Sequence, residues 1–313
     1  MSSLFIGMPV FNGENFISKA LESLLRQQFE DWTLLVSDNA STDNTPSICR
    51  TYCEQDSRIQ YMRQEKNLSP IANFKFLLTQ AHSPFFMWAA VDDEWDQYFL
   101  MACIEGLNSS PDIGWAFTNI VNIDSFGNTI REYPSFGVFT QTDWTSSVAC
   151  YVLEPEFLGK ANLIYGIYKL DHLKNYMLDA LSSPEVECPG FDMAFNLGIL
   201  CRTRLYIDER VLFKKRLARS TDRPDQPDMI PVVAPYVNGM MHGDAFSLFC
   251  QAMMATSRGT QFEGLVSYLL EYRSHLKKDL DFVLGQPPVH SRQSFLNRLR
   301  RIFRLLIGIC LRT

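Results

Sequence analysis

Phe85-Phe86-Met87-Trp88-Ala89-Ala90-Val91-Asp92-Asp93-Glu94 is an unbroken apolar run that ends in three consecutive acids. A strand that is apolar on both of its faces belongs in the middle of a sheet covered on both sides. Upstream, Leu4 to Val10 and Leu34-Leu35-Val36 are similar short runs, closed by Asn12-Gly13 and by Ser37-Asp38-Asn39, and Ile59 to Met62 is another. Between them, Phe16, Ile17, Ala20, Leu21, Leu24 and Leu25 recur at helical spacing, Thr45-Pro46 opens a helix through Cys53, and Ile71 to Gln80 makes a third. Helix from Leu100 to Leu107 and strand from Ile113 to Ile120 continue the alternation, the mark of β-α-β units and a mostly parallel sheet.

Downstream the pattern loosens, with turn signals at Ser125 to Asn128 and at Glu154-Pro155. Ala161 to Leu170 and Leu205 to Phe213 read as strands, Asp192 to Cys201 as a helix, and the region after Pro224, Pro227 and Pro231 as helical to about Leu284. This divides the chain into an α/β domain over 1–220, with halves 1–121 and 122–220, a helical extension over 221–288 and a tail over 289–313.

The chain has 313 residues, 46% hydrophobic and 20% charged, which suits a soluble globular protein and excludes disorder, collagen and coiled coil. A formal charge of −6 argues against a nucleic-acid partner. That total hides an asymmetry: residues 292–313 carry six arginines and no acid, so the body is more acidic than the sum. In the tail, Phe295, Leu299, Ile302, Leu306 and Ile309 form one apolar stripe, the pattern of a helix lying on an anionic membrane surface or docked on protein. The eight cysteines have no C-x-x-C spacing and read as reduced thiols; with no basic leader before the first strand and no run of 18 apolar residues, the expected place is the cytoplasm, peripheral to the inner face of the membrane if the tail binds it. No G-x-G-x-x-G, P-loop or G-x-S-x-G motif is present.

Ligands of an open parallel sheet bind at the carboxyl ends of its strands. Those ends supply Pro9 to Asn12, Ser37-Asp38-Asn39 and Asp92-Asp93-Glu94. Two adjacent acids leaving a strand either face water as a capping turn or hold a hard cation together with substrate phosphates. Asp38 either caps the next helix or accepts the imide N–H of a uracil or thymine ring.

Pro9 to Glu14, Leu21 to Phe29, Ser37 to Asp43, Asn67, Ala72-Asn73-Phe74 and Val91 to Trp95 together resemble the family-two glycosyltransferases of the GT-A fold. The resemblance is dense over the first 125 residues and continues to about Arg219. It implies a GT-A sheet flanked by helices and an inverting transfer from a nucleotide-diphosphate sugar, a UDP-sugar by preference, to a glycan or lipid-linked acceptor in cell-surface polysaccharide assembly. It also implies roles: Pro9, Phe11, Asp38 and Asp92 on the nucleotide, Asp93 on a Mg or Mn ion, Asp192 as catalytic base, and Lys214 and Arg216 on the donor phosphates, with Lys215 between them. Leu68-Ser69-Pro70, Ala90 and Ala218-Arg219 depart from the family pattern. A non-catalytic nucleotide-sugar-binding or assembly subunit on the same scaffold is the alternative. Asp192 read alone is also a helix N-cap, and Trp88 and Trp95 read alone are core aromatics.

Overall fold

The computed structural model describes residues 2–154, 158–171, 173–217, 236–237, 240–241 and 243–284. Its strands are β1 (Leu4–Val10), β2 (Trp32–Asp38), β3 (Ile59–Arg63), β4 (Phe85–Trp88), β5 (Glu94–Trp95), β6 (Ile113–Ile123), β7 (Thr129–Glu132), β8 (Ile167–Lys169) and β9 (Arg204–Arg216), with a separate ribbon of β10 (Tyr236–Val237) and β11 (Met240–Met241). The helices are α1 (Ile17–Leu25), α2 (Thr45–Gln55), α3 (Pro70–Gln80), α4 (Phe99–Asn108), α5 (Trp144–Leu153), α6 (Lys174–Ala180), α7 (Phe191–Leu200), α8 (Gly243–Ser257) and α9 (Glu263–Leu284).

The nine-stranded sheet runs β3-β2-β1-β4-β8-β6-β9-β5, with β7 added on β6. Strands β3, β2, β1 and β4 are parallel, β8 runs against both β4 and β6, and β9 is parallel to β6. Six carboxyl ends, those of β1, β2, β3, β4, β6 and β9, therefore gather along one edge.

As the apolar run predicts, β4 is central, and Phe86, Met87 and Trp88 are buried. The Trp88 ring meets Phe86, Tyr168 and Phe195 edge-on and Phe74 at a tilt, and its indole N–H donates to the Phe74 carbonyl at 3.2 Å. One side chain thus joins α3, β4, β8 and α7, and its loss would cost about 3–5 kcal/mol. Pro9 is tolerated in β1 for a geometric reason. Gly7 accepts from Ala89 N–H on the β4 side, so Pro9, two residues on, turns its missing N–H to that same side, past the last β1–β4 pair at Gly7 and Trp88.

Three expectations change in detail. The fourth strand stops at Trp88, because the chain turns before the acids. The expected strand from Ala161 to Leu170 is a 3-10 turn over Lys160–Tyr165 followed by only three strand residues. Gly166 separates the two, lying so close to the sheet that an added Cβ would stand 2.7 Å from the Ala116 carbonyl oxygen. The last strand runs on to Arg216, beyond its apolar stretch. Within the helical extension, α8 and α9 are two helices, α8 packing on α7 and α9 on α5. The basic tail lies outside the described residues.

Candidate active site

The loop after β1 and the loop after β2 are stitched together. Asn12 takes a left-handed backbone (φ 51°), its N–H donating to Ser41 Oγ at 2.9 Å and its side-chain carbonyl accepting from Thr42 N–H at 2.8 Å. Gly13 N–H donates to Thr45 Oγ1 at 2.8 Å and Glu14 N–H to Asp43 Oδ2 at 3.0 Å. This sets the half-buried Pro9 and Phe11 beside the end of β2. There Asp38 is wholly buried, its oxygens accepting from Ser41 N–H, the Tyr61 hydroxyl and Arg63.

Asp92 and Asp93 leave the centre of the sheet together but meet different surroundings. Asp92 is half-buried, whereas Asp93 is wholly buried. Asp93 Oδ2 lies 3.0 Å from Lys215 Nζ, and Oδ1 accepts from Arg216 N–H at 2.9 Å. Burial pushes the Asp93 carboxyl up, and the Lys215 ammonium pulls against it. For Lys215 burial disfavours the charge, but Asp93, Tyr165 and Asp92 together outweigh it and hold the ammonium above its ordinary value. Arg216 is also buried: Nε donates to the Asp92 carbonyl, Nη1 to the Asp124 carbonyl and Nη2 to the Glu94 carboxylate. The β5–β9 pairing, with Glu94 opposite Lys214, brings this about.

The three members of the basic run are used differently: Lys214 is exposed, Lys215 meets Asp93, and Arg216 braces the acidic turn from within. The expectation that Arg216 holds donor phosphate meets the fact that its donors are engaged inside the protein. Asp93, the expected metal ligand, accepts one hydrogen bond on each oxygen, from Lys215 and from the Arg216 N–H. Among the described residues no group of three His, Cys, Asp or Glu side chains is placed to hold a metal ion. A hard cation supported by one carboxylate plus substrate phosphates needs less.

Asp192 stands in the first turn of α7, after Gly190 in the left-handed region (φ 75°), and its Oδ1 accepts from Met193 N–H at 2.8 Å. Burial pushes its carboxyl up, opposed by backbone N–H groups and by Lys215. Tyr165 lies beside Lys215. The Lys215 Nζ lies 4.7 Å from the centre of its ring, the ring stacks on Phe213, and its phenol feels Lys215, Asp93, Asp92 and Asp192. Asp93 therefore meets Lys215 directly, and the charges of Asp92 and Asp192 are felt by the Tyr165 phenol beside it. Asp38, Pro9 and Phe11 lie along the same edge at the ends of β2 and β1. Trp88 and Trp95 are core residues.

Sequence reading missed Tyr165, Tyr61 and Arg63. Tyr165 sits in an apolar run with nothing polar to mark it, and Tyr61 and Arg63 stand two apart in a strand, a signal only once Asp38 is known to lie alongside.

Residues 5–152 match the sequence model of glycosyl transferase family 2. A GalNAc(5)-diNAcBac-PP-undecaprenol beta-1,3-glucosyltransferase of Campylobacter jejuni is 30% identical over 141 residues, 44% of this chain and 44% of that one. The UDP-Glc:alpha-D-GlcNAc-diphosphoundecaprenol beta-1,3-glucosyltransferase WfgD of Escherichia coli is 33% identical over 88 residues, 28% of this chain and 34% of that one. The chain thus spans less than half the length of these relatives. Among solved structures, Staphylococcus aureus TarS 1-349 in complex with UDP-GlcNAc superposes with a TM-score of 0.62 at 16% identity, covering 86% of this chain and 70% of that one. A Pyrobaculum calidifontis mannosyltransferase, PcManGT, in complex with GDP-Man and Mn2+, gives 0.51 at 14% identity, covering 88% and 80%. The fold is the GT-A fold, and residues 5–152 carry the match to glycosyl transferase family 2.

Proposed function

We propose that this chain is an inverting glycosyltransferase that moves a sugar from a nucleotide diphosphate to a glycan or lipid-linked acceptor in cell-surface polysaccharide assembly. One observation carries the reading: Lys215, from a strand that begins more than a hundred residues after the acidic pair, lies 3.0 Å from Asp93 at the ends of the parallel strands, and its charge is also felt by the Asp192 carboxyl. The names of the relatives support the chemistry, since two of them act on undecaprenol-linked sugars.

In this reading the nucleotide lies along the ends of β1 and β2, against Pro9, Phe11 and Asp38, and the diphosphate comes to Asp92, Lys214 and Lys215. Departure of the diphosphate builds negative charge on its oxygens, and an ammonium fixed by Asp93 stabilises that charge without reorganising. Arg216 keeps the acidic turn in place. Asp192 takes the proton of the acceptor hydroxyl as that oxygen bonds to the anomeric carbon. A single displacement inverts that carbon. A Mg or Mn ion held by Asp92 and the diphosphate would add positive charge to the leaving group. The tail over 292–313 would bring the protein to an anionic membrane, where a lipid-linked acceptor resides.

The test is transfer itself. The protein is incubated with Mn2+, UDP-glucose or UDP-GlcNAc and a polyprenyl-diphosphate-linked saccharide, and the product is read by mass spectrometry and its anomeric configuration by NMR. A lengthened saccharide with inverted configuration is expected. Retention would overturn the mechanism, and UDP binding without transfer under any acceptor would favour the non-catalytic alternative. Flotation of the full chain with anionic but not neutral vesicles is expected of the tail.

A further inference from the structure

Helix α5 lies antiparallel along α7 and is tied to it at both ends. At one end the Trp144 indole N–H donates to the Leu200 carbonyl at 2.7 Å, and at the other the Tyr151 hydroxyl donates to the Met193 carbonyl at 3.0 Å. The last turn of α5 thereby stands against the first turn of α7, where Asp192 lies. Met193 links the two: its N–H donates to Asp192 Oδ1 at 2.8 Å, and its carbonyl is the group that Tyr151 holds.

Tyr151 is wholly buried, and so are Lys160 and Asn196. The Lys160 ammonium reaches two carbonyls that the end of α5 leaves without helical partners, those of Tyr151 and Glu154, each at 2.7 Å, and lies 4.9 Å from the centre of the Tyr151 ring. Arg273 of α9 takes a third, the Val152 carbonyl, at 3.1 Å. From the α7 side the Asn196 amide donates to the Lys160 carbonyl at 3.0 Å. The end of α5 is therefore fixed, and Tyr151 with it.

Packing alone does not call for the hydroxyl. The Tyr151 ring meets Phe139 at 5.2 Å, a contact that phenylalanine would make equally, and a buried polar group costs free energy unless it is paired. Burial and the Asp192 charge hold the hydroxyl well above its ordinary value, so it remains a donor at neutral pH.

We propose that Tyr151 is a positioning residue for Asp192: through Met193 its hydroxyl fixes the first turn of α7, and with it the carboxylate, in the place from which the acceptor proton is taken. The assignment rests on the glycosyltransferase reading above and deepens it. Misplacing a reacting group by about 1 Å costs about 100-fold in rate.

The experiment is steady-state transfer by the full chain, with Mn2+, UDP-glucose or UDP-GlcNAc and a polyprenyl-diphosphate-linked saccharide, alongside calorimetric titration with UDP. Tyr151→Phe keeps the ring and removes the hydroxyl; its kcat is expected to fall about 10- to 100-fold while the donor KM and the UDP affinity stay at wild-type values. Trp144→Phe breaks the tie at the far end of α7, away from Asp192. It is expected to lower the melting temperature, as Tyr151→Phe does, but to keep the wild-type kcat. A wild-type kcat in Tyr151→Phe, an equal fall of kcat in Trp144→Phe, or a loss of UDP affinity in Tyr151→Phe would each overturn the assignment while leaving Asp192 as the base. A wild type without transfer, or Asp192→Asn transferring at the wild-type rate, would remove the reading on which the assignment rests, and the assignment with it.

Discussion

Lys215 and Asp93 form an ion pair 3.0 Å long in which the carboxylate is wholly enclosed, and the lysine comes from a strand that begins more than a hundred residues later. Removing one member of a buried pair strands the other charge, at a cost of about 3–5 kcal/mol. Lys215→Met and Asp93→Asn should each lower stability by about that amount in urea denaturation. The double variant should recover part of the loss, and simple additivity would show that the two groups do not interact.

Asp192→Asn should abolish transfer while sparing nucleotide binding. Loss of a general base costs about 10²- to 10⁴-fold in rate. The checks are kcat with a saccharide acceptor and UDP affinity measured on the same sample. A variant that transfers at the wild-type rate would remove Asp192 from the mechanism.

The pH profile follows from the same residue. A base works ionised, so activity is present above its pKa and falls as pH drops through it. Burial raises the Asp192 carboxyl, so the acid limb of kcat/KM should lie above the ordinary aspartate value of about 4. Lys215 pulls that carboxyl down, so Lys215→Met should move the limb to still higher pH. A limb that stays in place would show that the lysine and the base are electrostatically separate.

Asp92→Asn should remove the part of UDP affinity that depends on Mn2+, leaving the part that survives in EDTA. Paired titrations with and without the ion measure the difference, and an undiminished Mn2+ increment would place the cation elsewhere.

Gly166→Ala tests how Tyr165 is placed. An added Cβ would stand 2.7 Å from the Ala116 carbonyl oxygen and 2.5 Å from Trp115 Nε1, and the carbonyl belongs to strand backbone that pairs with β8. Overpacking of this kind costs about 1–3 kcal/mol. The melting temperature should fall, and transfer should fall with it as Tyr165 shifts.

The sequence alone determined the alternation of strands and helices over the first 120 residues, because an apolar run fixes which segments need covering on both faces. It also determined that Asp38 and Asp92-Asp93 share one edge, since parallel strands all present their carboxyl ends together. The tertiary structure decided which charges are spent and which remain. Lys214, Lys215 and Arg216 are indistinguishable as a run of letters, and only the pairing of β9 with β5 and β6 turns one outward, one onto Asp93 and one into the core. Asp38 is legible in the sequence as a strand-end acid, but its partners Tyr61 and Arg63 lie on the neighbouring strand at a register the letters do not encode. Tyr165 gained its place in the same way: an unremarkable aromatic comes to lie against Lys215 when distant segments fold together.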